Sequence, residues 1–435
     1  MAASLFSRAM SGAIPRGFWI AIGVALFVSF VIDLANTNAN GAIDLRNRIT
    51  GARLLESGIN PYTYKWHSGD PDIYCDVFNN PNPLVTVSKT TASPALLILH
   101  APLAALPYRD GEFAWLFAQW ALLLGTGWLW LRACTADWQR MGIALLLTGF
   151  TFTAAWRLHA ERGQSYVLLA FIFAAWLVLT LDRAWARHWV VGILAGVLIA
   201  LRPTFALLVP FMALHRRAQL IGVAVGLLVS VGLPVLVQQP CWTDYYAAMQ
   251  VNSELYRNDI NPRPGPHHYP PQIEGTPTLL IAKYAVIPYA DFSAFALLRW
   301  LGVEHEWLGD QAWPAWPLLL VLAVGFVIWL ALTFRRAPET LLAGLAAWIF
   351  LADFFLPAYR DTYNDVLILD VAAAGLVVAT KLPWAVWPIA LALPFGLLVY
   401  VLAPEQVPFI NLPSALLAIS AVMFMAILVN RRDPV

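Results

Sequence analysis

WVVGILAGVLIALRPTFALLVPFMAL, Trp189–Leu214, is apolar throughout except for one arginine near its middle. A helix needs about 20 apolar residues to cross hydrocarbon, so the run is long for one span. An unpaired arginine at the bilayer centre costs at least ~2.5 kcal/mol, and a proline removes a helix hydrogen bond. Arg202-Pro203 is therefore read as the point where two short helices meet. The chain becomes a membrane protein whose other apolar runs can be counted in the same way.

Those runs are Phe18–Ala35, Phe113–Leu131, Met141–Trp156, Tyr166–Leu181, Leu220–Val237, Pro314–Phe334, Thr340–Leu356, Val366–Thr380, Trp384–Leu402 and Leu412–Val429. With the two helices at Arg202 they predict twelve spans and an all-α integral membrane protein. Composition agrees: 60% of residues are hydrophobic and 12% charged, half the roughly 25% charged share of soluble domains. Arg8 and Arg16 ahead of Phe18–Ile32 imitate a signal peptide, but the many spans that follow favour an uncleaved first helix. Ser93–Leu106 is shorter and holds Pro94, His100 and Pro102, so it is expected to dip into the interface. The 20 Trp and 14 Tyr suit interfacial belts and core packing.

Thirteen basic residues fall on one side of this topology: Arg8, Arg16, Arg132, Arg140, Arg183, Arg187, Arg216, Arg217, Arg335, Arg336, Lys381, Arg431 and Arg432. Arg157, Arg162, Arg202 and Arg360 oppose them. By the positive-inside rule the first side is cytoplasmic. A competing count takes Ser93–Leu106 as a span and Trp189–Leu214 as one helix; it differs only in placing Arg157–Gln164 inside. Both counts put Asn36–Thr91 and Gln238–Trp313 outside. The expected organisation is a transmembrane module over 1–238 with its outer loop at 36–112, a second long outer loop at 239–313, and C-terminal helices over 314–435. Loops this long are usually functional when they are rich in aromatic residues.

The 27 basic and 26 acidic residues nearly cancel, which leaves no field to attract nucleic acid. Cys75, Cys134 and Cys241 lack metal or redox spacing, so no metal is expected. Cys75 and Cys241 share the outer, disulfide-permissive side, and a bond between them would tie the two loops together. A monomer is expected.

IDLRNRITGARLLESGINPYTY, Ile43–Tyr64, follows the first span. Its apolar spacing predicts an amphipathic helix along the membrane surface, ended by the turn Gly58-Ile59-Asn60-Pro61-Tyr62. Asp44 has two readings: a base at the lip of an outward cavity, or an N-terminal residue that complements the helix dipole. Arg202 is either a phosphate-binding guanidinium or a depth anchor. Arg157, His159, Glu161 and Arg162, ahead of Gln164, are a pocket wall or a solvated loop. His267 and His268 are sugar or phosphate ligands or ordinary surface. A last polar set, Arg360, Asp361, Tyr363, Asn364 and Asp365, faces outward.

An Asp just after the first span, a surface helix and Gly58-x-x-x-Tyr62 resemble the start of polyprenyl-phosphate-dependent glycosyltransferases of family 87. Those belong to the C-type superfamily, which includes mycobacterial phosphatidylinositol mannosyltransferases. Gly163-Gln164 opening the next helix, and Gly192, Gly196 and Leu201-Arg202-Pro203, add to a resemblance over roughly the first 240 residues. It implies a C-type fold and inverting transfer of a sugar, hexosyl and by this likeness mannosyl, from a polyprenyl phosphate to a lipid or glycan hydroxyl. That chemistry would build envelope glycan at the outer face of a bacterial inner membrane and need no cofactor. By position the base is Asp44, the donor phosphate meets Arg202 and Arg360, and Tyr62, His159, Glu161, Arg162, Gln164, His267, His268, Tyr363 and Asn364 are candidate substrate contacts. Family members often carry a Trp and a His where this chain has Tyr359-Arg360 and Tyr363-Asn364. A transporter or flippase would show repeats and broken helices in both halves. A lipid-linked polysaccharide ligase or polymerase would concentrate its polar chemistry in one later loop.

Overall fold

The computed structural model describes residues 14–76, 82–182, 184–257, 312–334, 337–355, 362–379 and 419–426. Among them every regular element is helical. The helices are α1 (Arg16–Asn40), α2 (Ile43–Glu56), α3 (Pro94–Ala104), α4 (Tyr108–Ala133), α5 (Asp137–Phe150), α6 (Ala154–Arg162), α7 (Tyr166–Leu181) and α8 (Trp189–Leu201). They continue with α9 (Leu208–His215), α10 (Arg217–Val237), α11 (Cys241–Arg257), α12 (Ala312–Thr333), α13 (Pro338–Phe355) and α14 (Ile368–Val378).

α1 and α10 turn whole apolar faces outward: Ile20 and Phe27 are each 66% exposed, Leu228 73% and Leu236 84%. Only lipid is a favourable solvent for such faces. The break at Arg202 is present, with α8 ending at Leu201, a 3-10 turn over Pro203–Leu207, and α9 following. The interior is aromatic, with Trp130, Trp156, Trp176, Phe173, Phe205 and Phe211 fully buried in one core.

Several expectations need correction. Three described helices are long and apolar enough to cross a membrane, or four if the bent pair α5–α6 is one span. The twelve expected spans are therefore not confirmed, and part of them lies outside the described residues. α7, with 16 residues, falls about one turn short of an upright crossing of about 20, and α8 and α14, with 13 and 11, fall further short. The span expected at Met141–Trp156 ends at Phe150, and the chain bends by 59° into α6. The polar cluster Arg157–Arg162 is thus helical. α2 does not lie open on a surface, since ten of its fourteen residues are buried. The second long loop begins with a helix, α11. Cys75, Cys134 and Cys241 are all free thiols: Cys241 packs with Tyr62 and Leu55 in a small separate core that does not include Cys75. Trp384–Leu402, most of Leu412–Val429, and Arg360, His267 and His268 lie outside the described residues.

Among the described residues the closest helix pairing is α8 on α10, and glycines permit it. A Cβ at Gly192 would stand 1.8 Å from the Gln219 carbonyl oxygen, and one at Gly222 1.8 Å from the Trp189 oxygen. Gly196 and Gly226 repeat the contact one turn on. Small residues four apart on both helices let backbones touch, which replaces the missing hydrophobic drive in lipid. Gly222→Ala should therefore cost about 3 kcal/mol or more, the upper end of overpacking. Gly232→Ala, on the same helix with nothing within 4 Å of the added Cβ, should be neutral or slightly stabilising. Unfolding midpoints in detergent compare the two.

Candidate functional site

The site is built on the three residues that join α6 to α7, Gly163, Gln164 and Ser165. Gly163 ends α6 in the left-handed region, φ 66°, and its N–H bonds back to the helix. A Cβ there would lie 2.6 Å from Leu45 Cβ, so this turn sits directly on the start of α2. Leaving the helix strands two carbonyls in apolar surroundings, where each needs a donor. Gly163 O accepts from Arg48 at 2.8 Å and from the Trp115 indole at 3.1 Å. Gln164 O accepts from Gln119 Nε2 at 2.8 Å. Three side chains from two other helices, α2 and α4, are spent on holding one turn.

Gln164, 3% exposed, then reaches α2. Its Nε2 donates to Asp44 Oδ2 at 2.6 Å, and its Oε1 accepts from Arg48 at 2.5 Å. A guanidinium can only donate, so Arg48 fixes which way the amide points. Asp44 and Arg48 are four apart on one helical face, and both remain partly exposed while Leu45, Arg46, Asn47 and Ile49 are buried. Lys89 Nζ lies 3.9 Å from Asp44 Oδ1, with side chains 10% and 21% exposed. Lys89 is placed through the Tyr62 turn: Ser88 N donates to Tyr62 O at 2.7 Å and Ser88 Oγ to Pro61 O at 2.7 Å. Tyr62 itself is fully buried, its hydroxyl donating to Ala92 O at 3.1 Å. His100 is enclosed nearby, and burial, with the Arg48 charge added, pushes it down to about 3, so it stays neutral.

Two residues beyond Gln164 the second cluster begins. Arg202 donates through one terminal nitrogen to Tyr166 Oη at 2.8 Å and through Nε to Asp353 Oδ1 at 2.7 Å. Asp353, 1% exposed, also accepts from Asn364 Nδ2 at 3.2 Å. The Tyr363 ring packs 5.6 Å from Tyr166, and the Arg162 guanidinium lies 5.8 Å from its centre. Asp44 and Gln164 are thus joined, Arg202, Arg162, Tyr363 and Asn364 are joined, and the Gln164–Tyr166 backbone links the two groups. His159 points elsewhere: it is stacked on Trp156 and accepts from Val167 N at 3.1 Å, at the start of α7. Glu161 lies partly exposed on α6.

Below the site, Asp33 is 1% exposed on α1 and ties three helices together. It accepts from the indoles of Trp120 at 3.0 Å and Trp156 at 2.7 Å, and pairs with Arg157. Arg157 also donates to Ser29 O at 2.8 Å, so the arginine is a brace between α1 and α6. Asp33, Arg48, Lys89, His100 and Asp353 are not among the site residues that the sequence predicts. Acids inside apolar runs are costly and seldom idle, and that signal alone would have flagged Asp33 and Asp353.

Among the described residues no group of three or more His, Cys, Asp or Glu is placed to hold a metal ion. The arrangement offers a positioned carboxylate beside cations at the end of the helices. The model of glycosyltransferase family 87 matches residues 91–357, more than half of the chain. The match takes in Gln164, Arg202 and Asp353 and begins after Asp44, Arg48 and Lys89, so it overlaps the resemblance over the first 240 residues from position 91 and extends beyond it. No curated protein and no solved structure matches the chain, so nothing ties it to the phosphatidylinositol mannosyltransferases in particular.

Asp33→Asn should cost about 3–5 kcal/mol, because Arg157 is left facing a neutral group at low dielectric. Replacing both, Asp33→Leu with Arg157→Met, should recover part of that loss, since paired apolar side chains need no desolvation. Chemical denaturation in detergent measures the cycle. A double variant as unstable as the single one would show that the indole hydrogen bonds, and not the ion pair, hold α1.

Proposed function

Because the chain belongs to glycosyltransferase family 87, and is therefore a membrane glycosyltransferase, we propose that it moves a hexosyl unit from a polyprenyl-phosphate donor to a lipid or glycan hydroxyl, with Asp44 as the base. The observation that carries this reading is the placement of Asp44. It is a partly exposed carboxylate, held at 2.6 Å by an amide whose orientation Arg48 fixes, and it adjoins the cluster containing Arg202. An acceptor hydroxyl gives its proton to the carboxylate as its oxygen attacks the anomeric carbon. The bond from that carbon to the phosphate oxygen breaks, and its electrons leave with the lipid phosphate. A single displacement inverts the anomeric configuration and needs one base, which suits a site with few carboxylates.

Arg202 and Arg360 are assigned to the leaving phosphate. Asp353 is then the resting counter-ion of Arg202, holding its fork until donor binds. The basic side of the topology, Arg132, Arg140, Arg187, Arg216 and Arg217 among others, supports placing this site at the outer face of a bacterial inner membrane.

Asp44→Asn should lower transfer by at least ~10²-fold while expression and donor binding persist. Activity within a few-fold of the parent, together with loss on Glu161→Gln, would move the base to α6. Arg202→Lys keeps Asp353 neutralised but loses the fork, so the donor concentration needed for half-maximal rate should rise about tenfold or more. No change in that concentration would make Arg202 a structural partner of Asp353 only.

A further inference from the structure

The far ends of α7 and α8 carry a feature that the transfer reaction does not use. Arg187, Arg216 and Arg217, with Leu214, His215 and Ala218, line an open cleft of about 320 Å³. None of these lining residues is acidic. Arg216 Nε is buried without a hydrogen-bond partner, while another of its nitrogens donates to His215 O at 3.0 Å. Arg217 Nε donates to Ala213 O at 3.2 Å, and His215 Nε2 lies 2.8 Å from Ala331 O. Arg216 also precedes α10, a helix of 21 residues that starts with no side-chain cap and no acid in its first turn. Its unmatched N–H groups add positive charge to the same place.

Burial, and then the Arg187 charge, lower Arg216 from its ordinary value, yet a guanidinium keeps its proton. Three like charges are therefore held together at a helix N-terminus. An anion with several acceptor oxygens would relieve that repulsion through charge-assisted bonds. Position selects the source of the anion. The 16 residues of α7 separate the cleft from Tyr166 by roughly 24 Å at 1.5 Å per residue, close to the ~30 Å of a hydrocarbon core. Trp185 and Trp189, 44% and 43% exposed, and Leu214, 42% exposed, flank the cleft, as residues at a headgroup boundary do.

We propose that this cleft binds the phosphate of an acidic lipid headgroup in the leaflet opposite the candidate catalytic face. The assignment is independent of the role given to Asp44. Native mass spectrometry of the purified full chain, titrated with phosphatidylglycerol, phosphatidylcholine or inorganic phosphate, tests it. Phosphatidylglycerol should bind the parent protein more tightly than phosphatidylcholine. Arg187→Gln with Arg217→Gln should weaken that binding about 25-fold, about fivefold for each arginine. Arg187→Gln alone, at an exposed side chain, should give the fivefold step even if the double variant folds poorly. Arg140→Gln, where the arginine is already paired with Asp137 at 2.8 Å, should leave binding unchanged. Equal binding of the two lipids, an equal loss in Arg140→Gln, or displacement of the lipid by equimolar inorganic phosphate would overturn the proposal.

Discussion

A polypeptide that leaves its helix in apolar surroundings must find a donor for every carbonyl it strands. At Gly163 and Gln164 that requirement recruits Arg48 from α2 and Trp115 and Gln119 from α4. The rest of the site follows from it. Arg48, drawn to the turn, also orients the Gln164 amide, and the amide then holds Asp44. Gly163 makes the approach possible, since any side chain there would collide with Leu45. One backbone constraint thus brings together residues about 120 positions apart in sequence.

Buried charge in this molecule is paired by the same logic. Asp33 with Arg157, and Arg202 with Asp353, place acids and arginines where water is scarce. Such pairs add little net stability but are costly to break, so they specify which helices meet. Asp33 braces α1 against α4 and α6. Asp353 fixes Arg202 at the helix break, between the start of α7 and the 3-10 turn Thr362–Leu367. The tight α8–α10 contact supplies a rigid wall behind that break.

Much of the helical layout was legible from the chain. Tyr166–Leu181 matched to the residue because an apolar run is bounded there by Gly163-Gln164 and by Asp182. The break at Arg202-Pro203 followed from the cost of an arginine and a proline inside one helix. The bend after Phe150 was not legible, because Thr151-Phe152-Thr153 is neither charged nor rich in turn residues; Thr153 caps α6 once the bend exists. The burial of α2 does not follow from the sequence, because its moderate amphipathicity looks the same whether its cover is lipid or α3 and the loop ahead of it. Asp44 could be proposed from its position after the first span, but its partners Gln164 and Lys89 are tertiary neighbours that no local spacing reveals.

The proposed reaction is inverting sugar transfer from a lipid phosphate. The direct measurement is incubation of the purified protein, in bilayers, with radiolabelled polyprenyl-phosphate hexoses and a membrane lipid extract, followed by analysis of the product's anomeric configuration. The account predicts that label leaves the polyprenyl phosphate and appears on a new glycolipid or glycan with inverted configuration. Label that stays on the polyprenyl phosphate while crossing the bilayer, or a product with retained configuration, would contradict it.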